Sequence, residues 1–196
     1  MTRHITVLLI GVTLGFAALR VPAGAQGRTS APAQTAPAGA TAAGPVLLLE
    51  SAKGAMEITL YPADAPKSVE HILSLVRRHF YRGLRFHRVT NSLIQIGDPQ
   101  TRNMSLEGAW GTLGSEDPIG VAEISKTRKH ERGTVGLAHA GDPKYADSQI
   151  YIMKAASPSL DGKYTIIGHV TKGIEVVDKF VKADIVTDIT LKTAAK

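Results

Sequence analysis

Phe86-His87-Arg88-Val89, followed by Leu93-Ile94-Gln95-Ile96, is the stretch from which the rest of the chain is read. It sets a fixed cation and a side-chain amide among apolar residues in what reads as one strand pair. Arginine stays charged at any biological pH and offers its donors in a rigid plane. Such a group in a half-apolar cleft asks for a ligand that accepts hydrogen bonds and also carries an apolar body. Two later segments sharpen this picture, Ser148-Gln149-Ile150-Tyr151-Ile152 and Leu160-Asp161-Gly162-Lys163-Tyr164-Thr165.

Around this pair the pattern is mostly that of strands. Residues 45–50 and 55–61 are apolar or alternating segments flanking Ser51-Ala52-Lys53-Gly54, which predicts a β-hairpin. In the second arm Met56, Ile58 and Leu60 face one way, and Glu57, Thr59 and Tyr61 the other. Val69, Ile72, Leu73, Val76 and Phe80 recur at helical spacing after Pro66, with Gly83 as the expected stop. Strand-like segments follow at 85–89, 93–96, 134–139, 149–153 and 164–171. Ile174, Val177 and Val181 suggest a second helix before a last strand near 187–191. Many strands with a helix near each end argue against a parallel βαβ sheet. Periodicity alone stops at a mostly β domain with two helices.

Residues 1–25 carry Arg3 and His4, an apolar run from Ile5 to Leu19, and Ala23-Gly24-Ala25, the parts of a secretory signal peptide. The run is short for a membrane span and is interrupted by Gly11, Thr13 and Gly15. Cleavage is expected after Ala25, leaving no stable membrane span and a periplasmic or secreted protein. Residues 26–44 are almost entirely Ala, Gly, Pro, Thr, Ser and Gln, too poor in large apolar side chains to offset the entropy of ordering, and read as a disordered tether. Residues 45–192 suit a single domain, expected to be monomeric, with 193–196 as a tail.

Loss of the first 25 residues removes Arg3 and Arg20 and no acid, leaving 21 basic against 17 acidic residues and a net charge of +4. Lys126-Thr127-Arg128-Lys129-His130-Glu131-Arg132 concentrates part of that charge. It contains no aromatic residue and reads as a solvated loop, so no nucleic-acid partner is expected. The chain has no cysteine, and its stability must come from packing.

In chain order, FHRV at 86–89, Gln95 ahead of Gly97-Asp98-Pro99, Ser148-Gln149 ahead of Tyr151, and Leu160-Asp161-Gly162-Lys163 resemble the cyclophilin family of peptidyl-prolyl cis/trans isomerases, in an exported bacterial form, over residues 46–191. The resemblance implies a closed eight-stranded antiparallel β-barrel capped by two α-helices. It implies an isomerase that assists folding of proline-containing unfolded or flexible polypeptides. Rotation about an Xaa-Pro bond is opposed by a barrier of roughly 18–20 kcal/mol, and uncatalysed exchange takes tens to hundreds of seconds. A catalyst has only to favour the twisted amide over both planar forms, so no nucleophile, metal or cofactor is expected.

The resemblance also assigns roles. Arg88 matches the family's catalytic Arg, a donor to the lone pair that the twisted nitrogen regains, with Gln95 beside it. Gln149, like Gln95, would hold the substrate backbone. Leu93, Ile94, Tyr151 and Leu160 would form the proline pocket, with Phe86, His139 and Tyr164 as further substrate-binding residues. His139 stands where the family has an Asn that contacts substrate through its main chain. Departures are also visible. Leu93 replaces a Phe, Ser159 a Trp and Tyr164 a His, and the spacing from Arg88 to Asp98 is one residue shorter, which leaves the register of Gln95 open. Residues 100–120 depart most, and Trp110 within them reads as a loop anchor. A second reading is a proline-segment binding module or chaperone of the cell envelope in which these changes leave weak or no catalysis. His71 and His79 lie eight positions apart on the first expected helix, no HExxH or paired Cys/His pattern is present, and no GxSxG elbow supports hydrolysis.

Overall fold

The computed structural model describes residues 44–192; the expected signal peptide, nearly all of the tether and the tail at 193–196 lie outside the described residues. The hairpin forms as β1 (Val46–Ser51) and β2 (Gly54–Leu60), paired from Val46↔Thr59 to Ser51↔Gly54. Its alternation works as the pattern requires, since Met56, Ile58 and Leu60 are buried and form part of the core.

Helix α1 (Pro66–Arg77) follows, with proline in its first turn and Ser68, Val69, Ile72, Leu73, Leu75 and Val76 buried. Ala65 offers no side-chain cap. Glu123, far along the chain, accepts from the backbone N–H groups of Lys67 (3.1 Å) and Ser68 (2.8 Å) instead. The helix stops before the expected Gly83. His79 takes the left-handed conformation (φ 55°), and the N–H groups of His79 and Phe80 donate back to the carbonyls of Val76 and Leu75. Glycine usually fills that position, which is why the stop was misplaced. Here the His79 ring lies 2.7 Å from Asp188 on the last strand, and Arg82 joins the same carboxylate at 2.7 Å.

The remaining strands are β3 (Arg88–Val89), β4 (Leu93–Ile96), β5 (Thr134–Leu137), β6 (Ile150–Met153), β7 (Ile166–Lys172) and β8 (Val186–Leu191). They join the hairpin in one curled sheet of order β3-β4-β6-β5-β7-β2-β1-β8, with each neighbouring pair antiparallel. Two expectations are corrected. The barrel is not a continuous closed ladder: β3 and β8 stand at opposite ends of the sheet, and Arg85↔Ile185 is an isolated bridge between the segments leading into them. The reason is a change of partner within one segment. Backbone groups of Leu84 and Phe86 bond to residues 183–186, whereas Arg88 and Val89 pair with β4.

The second α-helix is likewise absent, replaced by a 3-10 segment at Ile174–Lys179. Gly173 enters it at φ 75°, and Ile174, Val176 and Val177 are β-branched. A piece of six residues is too short to offset the cost of helix nucleation, and the β-branched side chains tilt it further toward a tight 3-10 turn. Burial of Val176, Val177 and Phe180 holds it in place, while Val181 is exposed. The basic run folds against acids, with Arg128 on Asp64 (2.6 Å), Arg132 on Asp178 (2.6 Å) and Lys129 near Asp161 (3.5 Å).

Phe86 and Phe180 meet at 4.3 Å between ring centroids inside this core. Phe86→Ala should cost about 3–5 kcal/mol of unfolding free energy in a urea titration, and Val181→Ala about 0.5 kcal/mol or less.

Candidate active site

Strand register brings the central residues into one row. Arg88 pairs with Gln95, Gln95 with Tyr151 and Tyr151 with Gly136, so their side-chain positions share a face of the sheet. Leu93 and Met153 are paired two residues away and lie on that same face. The shortened Arg88-to-Asp98 spacing is absorbed in a tight turn: Thr90 and Leu93 bond through their backbones at 2.9 Å, and the Thr90 hydroxyl accepts the N–H groups of Ser92 and Leu93. Gln95 therefore stands directly opposite Arg88.

Two expected site residues are corrected, Ile94 by the same alternation and Phe86 because its backbone still pairs with residues 183–184, before the segment crosses to β4. Ile94 and Phe86 are each 0% exposed and belong to the main core, so they present no surface to a ligand. Leu93, Tyr151 and Met153 instead form a separate small apolar cluster, against which Ala138, Leu160 and Tyr164 pack. This brings together Leu93, Tyr151, Leu160 and Tyr164 of the expected set. Met153, which period-two alternation from Tyr151 places on the same face, is itself 0% exposed and supports the cluster from below without meeting a ligand. Gly136 is a residue the motifs do not mark; the Tyr151 ring lies where a Cβ on Gly136 would be.

The polar half of the row is a chain of oriented amides. Gln149 Nε2 donates to the carbonyls of Gly111 (3.1 Å) and Leu113 (2.8 Å). Its Oε1 accepts from Gln95 Nε2 at 2.8 Å, and Gln95 Oε1 accepts from Arg88 Nη1 at 3.3 Å. The loop at the head of this chain is pinned by Asp98, which is fully buried and accepts the N–H groups of Gln100 (2.8 Å), Gly111 (2.6 Å), Thr112 (3.0 Å) and Leu113 (3.2 Å). Trp110 anchors the loop through Nε1, 3.2 Å from the carbonyls of Gln100 and of Asn103. His87 packs beneath it, and burial holds its pKa below the usual value despite the charge of Asp98 nearby.

Arg88 is exposed at the rim of the groove rather than enclosed in it. Among the described residues its side-chain hydrogen bond goes to an amide and not to an acid. Its charge is thus oriented but not neutralised. His139 flanks the other side: its Nε2–H donates to the carbonyl of Lys163 (3.2 Å), and its ring lies against Tyr164 with centroids 4.5 Å apart. A cavity of about 360 Å³ opens beside Gln95 and Gln149, between Gly111–Gly114 and Ala138–Ala140. Asp147 on its wall bonds His71 and Ser115. The arrangement can grip an apolar ring beside a donor-rich rim, and it holds backbone-binding amides at fixed angles.

The family model described as cyclophilin type peptidyl-prolyl cis-trans isomerase matches residues 46–195. The chain is 40% identical over 149 residues to a probable peptidyl-prolyl cis-trans isomerase of Brucella suis, covering 73% of this chain and 76% of that one. It is 36% identical over 137 residues to a peptidyl-prolyl cis-trans isomerase of Arabidopsis thaliana, covering 69% and 79%. Among solved structures, a cyclophilin type peptidyl-prolyl cis-trans isomerase of Cryptosporidium parvum superposes with a TM-score of 0.65 at 23% identity, covering 77% of this chain and 99% of that one. That last likeness concerns the fold.

Asp98→Asn should loosen the loop while leaving the sheet intact. Replacing a charged acceptor of backbone N–H groups by a neutral one costs about 1–3 kcal/mol, so hydrogen exchange at Gly111, Thr112 and Leu113 should quicken roughly 10- to 100-fold, with the amides of β5 and β6 unchanged.

Proposed function

Because the chain belongs to the family of cyclophilin-type peptidyl-prolyl cis-trans isomerases, we propose that the row Arg88, Gln95 and Tyr151 is its catalytic groove and that its substrates are flexible proline-containing segments of exported polypeptides. The observation that carries this reading is the un-neutralised Arg88 guanidinium, held by Gln95 at the edge of the Leu93–Tyr151–Met153 cluster.

As an Xaa-Pro bond twists, its resonance is lost and the nitrogen becomes pyramidal with a free lone pair. The prolyl ring rests on Tyr151 and Leu93, with Leu160 and Tyr164 beside it. Arg88 then donates to that nitrogen. In either planar form the lone pair is delocalised into the carbonyl and accepts poorly, so the contact is made mainly in the transition state, where it speeds the reaction. Substrate lying over the rim also displaces water from the guanidinium, which strengthens its interaction with the developing charge. Gln95 and Gln149 fix the peptide without taking part in bond making. The exported-substrate part rests on residues 1–25, whose basic start, apolar run and small residues before Gln26 fit a cleaved signal.

Exchange spectroscopy on a short Xaa-Pro peptide tests the site: Arg88→Ala should lower kcat/KM about 100- to 1000-fold while the peptide still binds. An unaltered rate would exclude Arg88 as the catalyst, and binding without enhanced exchange by the wild-type chain would favour a binding module. Fractionation of cells producing the full chain should recover a protein beginning at Gln26 outside the cytoplasm. An uncleaved cytoplasmic product would remove the export reading.

A further inference from the structure

The expected pocket aromatic carries a hydroxyl, and this hydroxyl has a built partner. Tyr151 is 3% exposed, and its Oη lies 2.8 Å from His130 Nε2. His130 Nδ1 lies 2.9 Å from Asp161 Oδ1, and the same oxygen accepts the His130 backbone N–H at 2.8 Å. Asp161, an acceptor on both counts, directs the imidazole proton to Nδ1. Nε2 is left with a lone pair that accepts the Tyr151 O–H. The imidazole side chain is fully buried, so it cannot itself touch a bound peptide.

We propose that His130 is a positioning residue for the proline pocket, holding the Tyr151 ring as its floor and, through Asp161, keeping the adjoining Leu160 wall at a set distance from that floor. The two walls come from distant parts of the chain, the floor from β6 and the other from the turn at Pro158–Leu160. His130 bonds to both. Because Gly136 beneath Tyr151 has no side chain to wedge the ring, the hydroxyl bond is the directional restraint on it. Without an acceptor at His130 the buried O–H would lose its partner, and the ring would turn to recover one. The ring carries the apolar surface that meets proline, whereas Arg88 is held separately through Gln95. Disturbing His130 should therefore weaken binding much more than turnover. Gln in its place keeps a side-chain acceptor and should serve nearly as well.

This inference rests on the groove assigned above, and the experiment separates the two. On the mature chain, with a short Xaa-Pro peptide, His130→Leu should raise KM about tenfold with kcat within about twofold, and Tyr151→Phe should raise KM less. The double variant leaves neither partner orphaned, so it should recover most of the lost affinity, and His130→Gln should lie close to wild type. Nitrogen-15 spectra of the wild-type chain should show His130 as the Nδ1–H tautomer; this reading and the double variant decide the matter even if His130→Leu does not fold. An unchanged KM, additive single effects or the Nε2–H tautomer overturns the inference. Arg88→Ala, run in parallel, tells which reading has failed: if exchange survives it, the groove assignment falls and this inference with it, whereas loss of exchange there beside an unaltered KM in His130→Leu overturns this inference alone.

Discussion

A carboxylate with no exposed surface, Asp98, is the constraint on which the proposed site depends. A buried charge is tolerated only where hydrogen bonds replace its water shell, and Asp98 gathers them from the backbone of a loop that lacks regular secondary structure. Convergence of the Gly111, Thr112 and Leu113 N–H groups on one oxygen fixes the peptide planes of that loop. It also turns the carbonyls of Gly111 and Leu113 toward Gln149. From there, orientation passes through two amides to the guanidinium of Arg88. An amide has a donor end and an acceptor end, so the direction set at the loop is kept at each step. A carboxylate can thus aim a cation without approaching it or cancelling its charge.

The second constraint is the period of a strand. Across β4 and β6, one set of side chains enters the core and the alternate set enters the groove, with no intermediate option. Ile94, Ile96, Ile150 and Ile152 pack into the main core; Leu93, Gln95 and Tyr151 take the groove face, with Met153 buried behind them. A slip of one residue in β4 would drive Gln95 into the apolar core, away from Arg88 and Gln149, and turn isoleucine toward the groove. The turn held by Thr90 prevents this, and it allows the segment to be one residue shorter without moving the amide off the row.

These periodicities explain what was legible from sequence. The hairpin, α1 and the positions of β4 and β6 were readable because alternation and helical spacing are local. Arg88, Gln95 and Gln149 could be named because each sits in a short motif of its own, although the row that joins them spans more than fifty residues. Ile94 was misassigned because proximity to a motif says nothing about which face a residue takes, and Phe86 because its segment leaves residues 183–184 for β4 only after it. The turn of α1 at His79 was missed because a non-glycine residue holds the left-handed position there. The open seam depends on Leu84 and Phe86 pairing with residues 183–186 while Arg88, two residues on, pairs with Gln95, and no local pattern reports that. Nor could spacing join His130 to both Tyr151 and Asp161, since a run of Lys and Arg around a histidine has the same composition whether it faces solvent or, as here, folds its imidazole inside.

An isomerase has to release a product that differs from its substrate by one bond rotation, so tight binding of either planar form would slow it. The proposed site fits that demand in its division of polarity. Its polar atoms are at the rim, where Arg88 remains wet until a peptide covers it, and its floor presents carbon. Tyr151 would break this division if its hydroxyl pointed into the groove, because each bound proline would then strip water from that hydroxyl without replacing its hydrogen bond. Burial against His130 takes the oxygen out of the groove and leaves the ring. In the proposed mechanism a phenol thus serves as an apolar surface, and the selective interaction is left to Arg88, the group assigned to the twisted amide.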